Sequence, residues 1–256
     1  MTTVLATAAR TGRALRPVER TAHLVGALLM LSGVLHFGVF LVDGGPWEGP
    51  VSWRKPTTFG LSFGLTLITV AWVTSYLVMS PRARAWLLGV FTADCVLEVA
   101  GITVQAWRRL PSHFNTETPS SRAIAMSLAF GGAVLVVVLT TFALVALRGR
   151  IRGPSDLALA LRAGWSLLLL TLLTGVAMVA KGSILFRTES PQAAYTTAGS
   201  LKPVHGVALH AILVLPLLAV LLHQRGWPEP RRHRAIRAAV WLYAVTTAAA
   251  TVISLT

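Results

Sequence analysis

Seven apolar stretches, at 22–42, 56–78, 85–107, 124–147, 157–181, 204–223 and 236–255, leave this 256-residue chain few ways to fold. A helix needs about 20 apolar residues to cross a hydrocarbon core roughly 30 Å thick, and each stretch is of that order. Lipid forbids lone strands, because it offers their backbone groups no hydrogen-bond partner. The sequence therefore predicts an all-α fold, a polytopic integral membrane protein of seven transmembrane helices. Charged residues make up 12% of the chain, against roughly 25% in a soluble domain. That deficit excludes a disordered chain and an ordinary soluble enzyme. The single cysteine, Cys95, excludes a disulfide within the chain and any multi-cysteine zinc or iron–sulfur centre.

Basic residues set the expected orientation. The N-terminal tail and the segments that follow the second, fourth and sixth spans carry 15 arginines, among them Arg10, Arg13, Arg82, Arg150 and Arg232. The opposite side has 8 basic residues: Arg54, Lys55, Arg108, Arg109, Arg122, Lys181, Arg187 and Lys202. The arginine-rich side is expected in the cytoplasm, so the N-terminus is expected inside and the C-terminus outside. The net charge of +14 then reflects topology and not a nucleic-acid partner. Residues 1–21 read as a basic cytoplasmic tail and residues 22–256 as one seven-helix transmembrane domain in the cell membrane. The first apolar run is too long for a signal-peptide core, so the first helix is read as retained. A faint internal echo is present, because Lys55-Pro56 opens the second span and Lys202-Pro203 the sixth. Two three-helix repeats around the fourth span would produce it. Proline at the first helical position beside a snorkelling lysine produces it equally well.

Charged groups at membrane depth cost about 2.5–3.5 kcal/mol each on insertion scales and mark helix interfaces or functional cavities. The third span holds Asp94, Glu98 and Gln105. At 100° per residue, Glu98 lies about 40° and Gln105 about 20° from Asp94, so the three form one stripe expected to face other helices. Ser32 and His36 share a face of the first span. His205 and His210 of the sixth are about 140° apart, a poor spacing for one shared ion. With 1.5 Å of rise per residue, His36, Glu98 and His210 lie about 6, 3 and 5 Å outward of the midplane. Three groups from three helices thus share a level.

This pattern predicts a buried His/carboxylate site opening to the outer face. Its expected metal ligands are His36, Glu98 and His210. Its expected catalytic groups are Asp94, Glu98, His205 and the loop histidine His113. The outer cations Arg54, Lys55, Arg108 and Lys202 are placed to ring the mouth and hold an anion or a cofactor's acidic groups. Either a b-type haem held by His36 and His210 or a divalent metal ion fits this donor set, giving a redox or hydrolytic membrane enzyme. The alternative is a proton-coupled small-solute transporter using Asp94 and Glu98. An anionic or lipophilic small molecule would enter from the outer side. A set of ordinary interhelical hydrogen bonds would also account for these polar residues.

Ser32-x-x-x-His36, a mid-membrane acid and two late histidines are similar to the pattern of the seven-helix zinc amidohydrolases, the ceramidase and progestin-receptor-like group. That group carries His-x-x-x-His on its last span, whereas here His205 and His210 are five apart on the penultimate one, and the chain is not assigned to it. No lysine in the seventh span is present for an opsin-type Schiff base. No His-Glu-x-x-His, phosphate loop or nucleophile elbow occurs.

Overall fold

In the computed structural model, which describes residues 14–197 and 199–255, the chain is all-helical apart from one isolated bridge. Arg10, Arg13 and Thr256 lie outside the described residues. The helices are α1 (Pro17–Asp43), α2 (Arg54–Thr74), α3 (Pro81–Trp107), α4 (Pro119–Arg148), α5 (Ser155–Thr188), α6 (Pro191–Thr197), α7 (Lys202–Gln224) and α8 (Glu229–Leu255). Seven of these, all but α6, are long and apolar enough to cross a membrane. The helices overrun the apolar stretches because polar residues close their ends. Ser80 caps α3 by accepting from the Ala83 N–H, and Thr118 caps α4 through the Ser121 N–H. Proline follows each cap at the first helical position. The 34 residues of α5 measure roughly 50 Å at 1.5 Å per residue. They run well past a hydrocarbon core into what the sequence reads as an outer loop.

Helix neighbours follow a 3 + 1 + 3 division. α1, α2 and α3 pack on one another, as do α5, α7 and α8, while α4 bridges α3 and α5. α2 and α7, the helices opened by Lys55-Pro56 and Lys202-Pro203, meet between the two units. Helices α2, α3, α4, α5 and α7 thereby close a ring, with α1 and α8 on its outside.

Glycine sets the closest approach. A Cβ on Gly60 would lie 2.8 Å from Gly33 Cα, and one on Gly64 would lie 2.5 Å from the Gly26 carbonyl oxygen. The α1 and α2 backbones therefore touch, as small residues at a helix interface permit.

Large apolar side chains concentrate at one end. Leu67, Val70 and Val73 of α2 meet Leu88 and Phe91 of α3, Phe142 of α4, Trp165 of α5 and Leu215 of α7. This is the arginine end, where α1, α3, α5 and α8 begin and α2, α4 and α7 finish. The α2–α3 and α4–α5 connections join there through the Leu77–Ile151 antiparallel bridge, with Val78 N–H donating to Arg150 O and Arg152 N–H to Tyr76 O. That pairing ends α2 at Thr74, short of the apolar stretch that runs to 78. Buried Arg84 closes the α2 terminus by donating to the carbonyls of Thr74 and Leu77. Arg232 donates to both oxygens of buried Asp156 at 3.0 and 3.3 Å and to the Trp227 carbonyl at 2.7 Å.

The other end, which carries Trp47, Trp53 and Trp107, is loose. Past Thr174, α5 keeps one buried residue, Gly182. The first 19 residues of α4, before Val138, keep Ser121, Leu128 and Gly131. Because α1 and α2 depend on backbone contact, Gly64→Ala is expected to destabilise the protein by about 1–3 kcal/mol, the usual cost of overpacking. Thermal unfolding in detergent measures this, and a midpoint equal to that of wild type would remove glycine contact as the cause of the close approach.

Candidate functional site

Three polar groupings occupy the half toward the tryptophan end. The first surrounds His36 of α1, which is buried. Its Nδ1 lies 2.7 Å from the Ser32 carbonyl oxygen, and its Nε2 lies 3.1 Å from Trp107 Nε1. A carbonyl only accepts and an indole N–H only donates, so Nδ1 carries the hydrogen and Nε2 accepts the hydrogen bond from the indole N–H. Trp53 and Trp107 enclose the ring at centroid distances of 6.1 and 6.2 Å. Trp53 Nε1 donates to Asp43 at 2.6 Å, and Arg109 binds the same carboxylate oxygen at 2.6 Å while its guanidinium lies over the Trp53 ring.

The backbone here is shaped for this contact. The Leu110 N–H reaches Gln105 O and the Arg109 N–H reaches Ala106 O, a Schellman end to α3. Glycine usually takes the left-handed position of that motif, yet Arg109 occupies it at φ 57°. The charged hydrogen bond from its guanidinium to Asp43 holds an arginine where glycine would sit more cheaply. Trp53 is buried in this cluster. The sequence reading missed Asp43 and Arg109 as partners. The available signal was an acid at the end of an apolar helix followed by Trp53-Arg54-Lys55.

The second grouping is the α3 stripe. Asp94, Glu98 and Gln105 are all buried, as their spacing predicts. A Cβ on Gly131 of α4 would lie 2.7 Å from Asp94 Oδ1 and 2.8 Å from Glu98 Oε1. Both carboxyl groups therefore rest on Gly131, one of two adjacent glycines of α4. Among the described residues neither has an ion-pair partner, and Asp94 Oδ2 is buried with no hydrogen bond. Gln105 is used structurally, donating to Pro111 O at 3.2 Å and accepting from Arg108 at 2.8 Å.

The third grouping is cationic. Arg54 pairs with Glu48 at 3.2 Å. Arg108 is held by Gln105 and Ser120. Lys55 lies within electrostatic reach of Arg54, Lys202 and His113. The His113 ring lies 6.2 Å from Phe59 and its Nδ1 lies 2.9 Å from Ser112 Oγ. Burial, and then the Lys55 charge, lower its pKa to about 4.

The expected metal set is not assembled. Among the described residues no group of three or more His, Cys, Asp and Glu side chains is placed to hold a metal ion. Helix rotation is the cause. His210 is on the exposed side of α7, with Nδ1 2.6 Å from the Gly206 carbonyl oxygen. α7 packs on α5, α8 and α2, whereas the α1 helix of His36 packs on α2 and α3. Both ring nitrogens of His36 are occupied, so a haem held by His36 and His210 finds no support either. His205 diverges from His210 as their spacing predicts. It faces α5, with Nδ1 3.2 Å from Thr174 Oγ1, and it is not gathered with Asp94 and Glu98. Of the expected cofactor-binding residues, Arg54 and Arg108 are engaged by neighbouring side chains, and no contact joins Lys55 to Lys202 among the described residues.

No protein-family model, curated protein or solved structure matches the chain.

Gly131→Ala is expected to cost about 1–3 kcal/mol in wild type and far less when Asp94 and Glu98 are both alanine. A double-mutant comparison of unfolding midpoints reads this coupling, and equal costs in the two backgrounds would refute the shared seat. His113 gives a pH signature. An unfolded histidine takes its proton near pH 6.5, the folded one near pH 4. The folded state is therefore penalised as pH falls from 6.5 toward 4, with no further loss from this group below that. His113→Gln should flatten that part of the stability profile, and a profile identical to wild type would exclude the assignment.

Proposed function

We propose that the protein is a proton-coupled carrier of a small solute, with Asp94 and Glu98 as the proton site. One observation carries this reading: two buried carboxyl groups sit side by side over Gly131 and, among the described residues, pair with no cation. A carboxylate pair at membrane depth is a proton-handling element in pumps and transporters. A purely structural polar contact between helices would instead use matched donors and acceptors. Asp94 Oδ2 has no such donor.

The packing gradient supports the same reading. The arginine end is filled by large apolar side chains and closed by the Leu77–Ile151 bridge, while α4 and α5 are sparsely buried at the tryptophan end. The 3 + 1 + 3 arrangement supplies two helical units able to rock against each other where α2 meets α7. With the charge-rule orientation, the sparsely buried side is the outer one.

Reconstituted protein in vesicles with a pH-sensitive dye in the lumen tests the proposal. External phosphate, succinate, alanine and glucose are presented in turn under an inward proton gradient. At least one should drive acidification beyond protein-free vesicles, and Glu98→Gln should abolish that increment while leaving the unfolding midpoint close to wild type. Acidification that is unchanged in Glu98→Gln would exclude Glu98 as the coupling group.

A further inference from the structure

The arginine end carries more positive charge than its acids can neutralise. Its three carboxylates are all engaged: Glu19 accepts from the Arg16 N–H, Asp156 from Arg232 and Glu229 from Ser155. Arg148, Arg150 and Arg152, at and just beyond the end of α4, are exposed. Among the described residues none of the three has an ion pair or a side-chain hydrogen bond.

Backbone pairing fixes the direction of two of them. Val78 N–H donates to Arg150 O at 3.0 Å and Arg152 N–H to Tyr76 O at 2.8 Å, one bond on each side of the Leu77–Ile151 bridge. Leu77 is fully buried, and Ile151 packs on the same core. Side chains alternate across an extended segment, so Arg150 and Arg152 leave the chain on the face opposite Ile151. Two residues of extended chain set their backbones about 7 Å apart. The pair stands where apolar helix gives way to polar chain, because α2 ends at Thr74 and α4 at Arg148. Exposed Trp86, in the second turn of α3, marks the same level as the headgroup region, where tryptophan collects.

Two neighbouring guanidinium groups with no acid between them repel each other. A phosphodiester supplies what they lack, a negative charge whose oxygens accept from the planar guanidinium fork. From this arrangement we infer that Arg150 and Arg152 form a clamp for the phosphate of an anionic phospholipid headgroup. The bilayer already holds such phosphates at this level, and an anionic lipid, unlike phosphatidylcholine, brings no cation of its own to compete with the arginines. Because the bridge joins the α2–α3 and α4–α5 connections, an occupied clamp would brace the arginine end. The inference is independent of what the protein carries.

Thermal unfolding of the full chain tests it, in phosphatidylcholine nanodiscs where phosphatidylglycerol replaces a rising share of the lipid. The wild-type midpoint is expected to rise and then saturate. The double variant Arg150→Gln/Arg152→Gln leaves the bridge in place, since its bonds use backbone atoms. It should weaken the apparent affinity for phosphatidylglycerol about tenfold, the effect of losing a charged hydrogen bond. Arg225→Gln/Arg234→Gln makes the same change of net charge on two exposed arginines of that end, outside the bridge, and should keep the wild-type response. Equal losses in the two double variants overturn the clamp in favour of diffuse surface charge. No rise in wild type overturns anionic lipid as a ligand. Inorganic phosphate added to pure phosphatidylcholine discs should leave the midpoint unmoved, and a rise there that requires Arg150 and Arg152 overturns the lipid as the source of the phosphate.

Discussion

Backbone contact between α1 and α2 is the constraint on which the geometry of the tryptophan end depends. Hydrophobic burial gives helices little reason to associate in lipid, so close packing has to supply the attraction. Gly26, Gly33, Gly60 and Gly64 let the two backbones meet without intervening side chains. That approach brings the end of α1 beside the start of α2, where Asp43 receives the Trp53 N–H and His36 lies against Trp53. The end of α3 joins the same cluster through Trp107 and Arg109, which explains why an arginine is held in a left-handed backbone position.

Electrostatics at that end follow from who finds a partner. Basic groups crowd together, but the few acids are distributed selectively, Glu48 to Arg54 and Asp43 to Arg109. Lys55 and Lys202 are left facing like charge. Deeper in the bundle the imbalance reverses, because among the described residues Asp94 and Glu98 pair with no cation. A donor-rich end above an acid-rich interior is a polarity that a structural hydrogen-bond set does not need. It is the feature on which the carrier reading is built.

Much of the bundle was legible one helix at a time. Lipid removes every alternative to the helix, so run length alone predicted the seven long helices, with errors confined to their ends. There the caps Ser80 and Thr118 extended α3 and α4, and the Leu77–Ile151 bridge shortened α2. The helix α6 and the extension of α5 to Thr188 fell within a segment read as loop, because neither has the apolar density that marks a span. Angular spacing predicted the burial of Asp94, Glu98 and Gln105 and the divergence of His205 from His210, since 100° per residue holds along any one helix.

Depth along the membrane normal was a weaker guide. His36, Glu98 and His210 share a level in the sequence, yet a common level places no two side chains on facing surfaces. The rotation of each helix about its own axis is set by its neighbours. α7 turned His210 outward, α4 offered Gly131 as the seat for two carboxyl groups, and Trp107 took the Nε2 lone pair of His36. The sequence by itself determined the helical class, the number of long apolar helices and which side of α3 is polar, because these follow from local periodicity in a solvent without hydrogen bonds. Only the tertiary structure decided which polar groups meet and which cations stay unpaired, because both depend on how rigid helices are rotated against one another.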